Sequence, residues 1–255
     1  MKGTYGYDVV FFADKEIKTI ELKSEDSEAS VLVVPSFQGR VMTSSSDGKK
    51  GMSYGWINYD LISSREINKQ FNPFGGEERL WFGPEGGPYS IYFNPGEEQV
   101  YGNWVVPPVI DTEGFDIASA TNKSVRFVKE TVLTNAHGTI FKVGIERTVT
   151  LLTKDDVSTL LDVEIPEDLK LVAYQSENII INKGDSAWTK EGGLLSIWML
   201  GMFNPSPETT VFIPFKPDVE GVIVNDEYFG KVPSDRLIVD SNVVYFKIDG
   251  KYRSK

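Results

Sequence analysis

Apolar and polar residues alternate along most of this chain with the period of two that marks half-buried β-strands, and seldom with the 3.6 period of a helix. The clearest run is 139–152, where Phe141, Val143, Ile145, Val149 and Leu151 share one face and Lys142, Glu146, Thr148 and Thr150 share the other. Arg147 falls in the apolar phase, where a charge must be paired or must reach a wet cavity. A structural ion pair is preferred over a ligand-facing role. Strands are also expected over 7–12, 16–22, 30–34 and 39–43, an opening meander, and over 55–62, 80–82, 89–93, 99–106, 115–120 and 124–128. Later runs read as strands at 159–165, 169–174, 178–182, 194–200, 210–215, 221–224, 236–239 and 243–248. Only 63–70 reads as a helical turn or two. Asp249-Gly250 signals a type I′ hairpin whose return strand would be Lys251–Lys255, too short to cover its neighbour, so the chain is expected to run on past its last residue.

The pattern predicts one all-β domain over residues 1–255, a two-layer sandwich of large antiparallel sheets with little helix. Leu195 and Ile197 join the five apolar residues of 139–152 in its expected core. No repeat, low-complexity tract or Gly/Ser linker divides the chain.

Composition removes several functions. A net charge of −11 and a pI near 4.7, with no Lys/Arg cluster, argue against a nucleic-acid partner, which needs a basic patch. No run approaches the roughly 20 apolar residues of a membrane span. Zero cysteines exclude disulfides, thiolate metal sites and cysteine nucleophiles. The N-terminus shows no apolar signal core, which fits a cytosolic protein or, the reading favoured here, a periplasmic or secreted one whose signal has been removed. The single histidine, His137, reads as a turn residue, and there is no HExxH or GxSxG. The glycine pairs at 75–76 and 86–87 match no nucleotide-binding pattern, so no cofactor or metal is expected. Oligomeric state is not legible.

The richest chemistry lies in residues 74–93, FGGEERLWFGPEGGPYSIYF, with Glu77, Glu78, Arg79 and Glu85 among six aromatics and five glycines. Aromatic faces with carboxylates and a guanidinium form the flat-plus-polar surface a sugar ring needs. Two short strands joined by a Pro-Glu-Gly-Gly turn explain the same residues without a site. A second aromatic-acidic segment, Trp188 to Gly193, repeats the pattern with Trp188 and Glu191. A saccharide is therefore expected against Glu78, Arg79, Trp81 and Glu85, with Trp188 and Glu191 closing the site. Two alternatives stay open: a glycoside-active enzyme using a carboxylate pair such as Glu78 and Glu85, and a structural or assembly module whose tryptophans are core.

Residues 39–43, 55–58, Phe74 to Gly87 and Gly192 to Trp198 resemble an uncharacterised bacterial family that looks related to the galactose mutarotases, or aldose 1-epimerases. The resemblance covers essentially the whole chain, and the block from Glu78-Arg79 to Gly83–Gly87 is its most specific part. It implies a galactose mutarotase-like β-supersandwich and a carbohydrate ligand in a polar cleft on one concave sheet. Mutarotases carry a catalytic histidine after a strand that Asn178 to Asn182 matches, and Lys183 stands at that position. A lysine is a poor general acid or base near neutral pH unless its pKa is strongly depressed, so sugar binding without standard epimerase chemistry is expected.

Overall fold

The computed structural model describes residues 1–227 and 230–250. About a third of the chain is strand and 15% is helix, arranged in several antiparallel sheets. Contacts group the chain into two compact units, residues 1–203 and 204–255.

In the first unit, β1 (Ile20–Lys23), β2 (Ser30–Val34) and β3 (Arg40–Ser45) form a meander. β3 continues into the strand that follows it in space: Val41 and Glu78 exchange backbone hydrogen bonds at 3.1 Å, just ahead of β4 (Arg79–Gly83). The opposite layer holds β5 (Asp116–Ala120), β6 (Ser124–Thr134), β7 (Ile140–Leu151) and β8 (Tyr174–Asn182), in that order, so β8 is an edge. β9 (Ser196–Leu200) returns to pair with β4. One core fills the space between the layers: Leu22, Val31, Val33, Val41 and Phe82 from one side meet Val125, Phe127, Phe141, Val143, Ile145 and Val149 from the other. The five apolar residues expected from 139–152 are all buried; Leu195 and Ile197 are half-buried against the same core. Gly39, at φ +62°, allows the layers to close, since a Cβ there would come within 2.6 Å of the Phe127 ring.

Several expected strands take other forms. Residues 7–12 lie in α1 (Tyr5–Asp14), where the Thr4 hydroxyl accepts from Tyr7 N (3.3 Å) and Asp8 sits in the positive first turn. Tyr5, Phe11 and Phe12 pack on the outer face of the meander with Leu32, Val34 and Met42. Residues 55–62 give isolated bridges at Gly55 and Ile57 and then α2 (Tyr59–Ser64), capped by Asn58, which also displaces the turn expected over 63–70. Residues 89–93 and 99–106 are irregular apart from a single 3-10 turn at Tyr101–Asn103. Ile91, Tyr92 and Phe93 are apolar because they are buried, not because they alternate in a sheet. A short helix, α3 (Pro108–Asp111), follows. Residues 159–165 overlap α4 (Lys154–Leu161), started by a Thr153–Asp156 capping box. Residues 169–174 join β8 only at Tyr174, and 221–224 form bends.

In the second unit, β10 (Thr210–Pro214), β11 (Leu237–Val239) and β12 (Val243–Lys247) make an antiparallel sheet in the order β10-β12-β11. Arg236 grips Asp249 through two bonds of 2.7 and 2.9 Å. The return strand expected at Lys251–Lys255 lies outside the described residues.

Candidate functional site

Arg147, wholly buried on β7, has the inward phase its place in the sequence dictates, and its guanidinium is met by a carboxylate, an amide and a backbone carbonyl. Its Nε donates to Gly39 O (3.0 Å), and Nη1 donates to Asn178 Oδ1 (2.5 Å) and Glu78 Oε1 (3.3 Å). Nη2 donates to Glu78 Oε2, completing a two-pronged ion pair. Ser176 Oγ donates to Glu78 Oε1 at 2.9 Å, and Asn178 Nδ2 donates to Ser176 Oγ at 3.1 Å. Tyr174, Ser176 and Asn178 stand at alternate positions of β8, hence on one face, and all three are half-buried. The Glu78 side chain keeps 14% of its surface. The Glu78 carboxylate, the Asn178 amide and the Ser176 hydroxyl, held on the buried guanidinium, thus reach solvent beside β8.

Glu77, next in the chain, is buried. Ser44 Oγ donates to its Oε1 at 2.7 Å, while Oε2 has no hydrogen bond of ordinary length. Burial pushes the Glu77 carboxyl up to about 7, with the hydroxyls of Ser44 and Tyr174 holding it back in part. The Tyr174 phenol is pushed well above its usual value by burial and by the charges of Glu77 and Glu78.

Arg79 and Trp81 face the other way, because neighbouring residues of a strand point to opposite sides. Arg79 Nη2 donates to Ile110 O (2.7 Å), and its guanidinium lies 4.3 Å from the Trp81 ring centre and 5.6 Å from that of Phe71. Burial pushes it down to about 10, with Asp111, 3.9 Å away, opposing. Its Nε and Nη1 have no hydrogen-bond partner. Trp81 Nε1 donates to Glu85 Oε1 at 2.5 Å. Arg79, Trp81 and Glu85 therefore form one cluster, with Arg79 and Trp81 buried, and Glu78 belongs to another.

Trp188 packs edge-on against Phe141, 5.6 Å between ring centres. Phe141 precedes Arg147 by six positions on β7, roughly 20 Å along a strand, so Trp188 stands far from the Glu78 group. Glu191 is exposed, and its segment is anchored by Asn135 Nδ2 donating to Gly192 O (2.8 Å). Gly193, at φ +92°, lies so close to the Tyr89 ring that a Cβ would come within 2.8 Å. Residues 74–93 and 188–193 thus meet at Tyr89 and Gly193. His137 lies in the adjoining turn, edge-on to Tyr89 at 5.7 Å. Trp81 is 3% exposed, whereas Trp188 and Trp198 are half-buried.

Sequence reasoning placed Arg147 and Glu78 but did not join them; it named Asn178 only as the start of the strand before Lys183 and gave Ser176 and Tyr174 no role in a site. The only sequence signal for these three is the alternation of polar residues through β8. A cleft of about 800 Å³ lies elsewhere, between leucines (151, 152, 169, 171) and charged residues including Glu25, Lys154 and Asp168. None of the six sequence-derived site residues lines it. No described helix is long and apolar enough to cross a membrane, and the described residues contain no group of three or more metal-ligating side chains.

Residues 3–255 match a family described as a family of unknown function (DUF6786). No curated protein and no solved structure matches the chain.

Proposed function

The chain belongs to that family, and for it we propose a carbohydrate-binding protein whose saccharide docks at the Glu78–Arg147–Ser176–Asn178 group. The observation that carries this reading is the fixed carboxylate and amide beside half-buried hydroxyls at a solvent-reaching edge. Vicinal sugar hydroxyls both donate and accept, and a preorganised frame of charge-assisted donors and acceptors meets them without first having to order itself. Two facing antiparallel layers support placing the fold with the galactose mutarotase-like supersandwiches. Of the six residues expected from sequence, Glu78 is the one retained for direct contact, because Arg79 and Trp81 are buried and Trp188 stands far along β7.

Standard epimerase chemistry has little support. Lys183, at the position of the mutarotase histidine, is about half exposed and pairs with Glu130 at 3.4 Å. The carboxylate-pair alternative is weakened as well, since Glu85 is tied to Trp81 on the face of β4 away from Glu78.

The test is a glycan array followed by titration calorimetry on wild type, Asn178→Ala and Trp188→Ala. We expect at least a tenfold loss of affinity in Asn178→Ala and none in Trp188→Ala. Equal affinity in Asn178→Ala, or the absence of any glycan binding, would remove this reading.

A further inference from the structure

The residue beside the ligand-facing carboxylate is itself a buried acid with an unmet hydrogen-bonding atom. Glu77 Oε2 is shielded from water and accepts no hydrogen bond of ordinary length, although Oε1 is satisfied by Ser44. The groups acting on this carboxyl are Ser44 of β3, Tyr174 of β8 and the adjacent Glu78, and its charge in turn raises the Tyr5 phenol of α1. No cation is ion-paired with Glu77 among the described residues; the nearby guanidinium of Arg147 is committed to Glu78. Tyr174 connects the two environments, because its hydroxyl acts on Glu77 while its side chain shares the inward row of β8 with Ser176 and Asn178.

We propose that Glu77 is a proton-binding element that sets when the Glu78 site accepts ligand, acting through the hydroxyl of Tyr174; this deepens, and rests on, the reading of that site as a saccharide site. With a proton on Oε2, the acid donates to the Tyr174 oxygen, and the tyrosine's own hydrogen is left to donate toward Glu78 or a sugar hydroxyl. When the proton leaves to solvent, Tyr174 turns its hydrogen back to the carboxylate. The site then loses a donor, and a second negative charge stands beside Glu78. A carboxyl that is buried without a cation, with hydroxyls as its hydrogen-bonding neighbours, is the setting in which the neutral form persists to near-neutral pH. Glu77 does not touch the ligand; it is a positioning residue.

The experiment begins without any sugar. The protein is labelled at glutamate carboxyl carbons and asparagine side-chain amides and titrated by NMR, with the Glu77 signal assigned by its disappearance in Glu77→Gln. Tyr174→Phe keeps the ring and removes the connecting hydroxyl, and it serves alone if Glu77→Gln does not fold. We expect the carboxyl to titrate between pH 6 and 8 and the Asn178 amide to follow with the same midpoint in wild type. In Tyr174→Phe, Asn178 should no longer follow. A Glu77 midpoint below about 5.5, or an Asn178 amide indifferent to it, overturns the inference. Binding of D-galactose, D-glucose and D-mannose is then compared at pH 6 and 8. If only the protonated form binds, affinity falls roughly tenfold over that span in wild type and stays flat in Glu77→Gln. A pH-independent wild type also overturns the inference. If none of these sugars or any arrayed glycan binds, the carbohydrate reading falls, and the sugar-free titration still decides whether Glu77 governs Tyr174 and Asn178.

Discussion

Replacing Arg147 by methionine tests whether the ion pair between the two sheets is desolvated. The guanidinium is 0% exposed and its partner Glu78 is 14% exposed, so removing the arginine strands a carboxylate that water reaches only at its rim. Breaking a fully buried pair costs about 3–5 kcal/mol, and exposed pairs are worth roughly 0–1 kcal/mol. The residual exposure of Glu78 places the expected loss near the lower end of the buried range, about 3 kcal/mol. Methionine fills most of the volume, so little of that loss is cavity. The cost is read from equilibrium urea unfolding followed by near-UV circular dichroism, as a shift in midpoint at unchanged slope. The double variant Arg147→Met/Glu78→Gln should recover roughly 1–3 kcal/mol of it, because it removes the stranded charge. A loss under about 1 kcal/mol in the single variant, or no recovery in the double, would refute the account of a dehydrated pair holding β7 to the β3–β4 junction.

Glu77→Gln should change the pH dependence of stability. The folded carboxyl titrates near 7 against a reference of 4.5, so the folded state binds more protons than the unfolded state between those values. Its contribution is full below about 4.5 and is lost as pH rises through 7, a fall of about 3 kcal/mol that the glutamine variant should lack; parallel stability-pH curves would contradict this. Gly193→Ala should destabilise by more than 1 kcal/mol and perturb Tyr89, since the position combines φ +92° with a close ring; a neutral result in thermal melts would mean that the loop simply shifts. Thr153→Ala should cost about 1 kcal/mol through loss of the α4 cap, measurable as faster amide exchange at Asp156 and Val157.

Residues 139–152 could be read correctly because a two-residue period over a long run leaves one phase for the core, and β7 occupies it with both neighbours in register. The same period required Arg147 to find a partner, which is why its burial was foreseeable from one chain position. Composition likewise excluded whole chemistries, since a chain without cysteine cannot build a thiolate site whatever its fold. Short apolar runs were ambiguous: 7–12 became a helix and 89–93 an irregular buried segment, because five or six mostly apolar residues satisfy either geometry and packing against the meander or the core around Trp81 makes the choice. The site depended most on tertiary structure. Glu78 and Arg79 are chemically matched neighbours, yet strand geometry sends them to opposite faces, and Glu78 finds Arg147 69 positions away and Ser176 98 positions away. Which carboxylate meets which cation follows from sheet pairing and layer packing, long-range contacts that no local pattern of residues encodes.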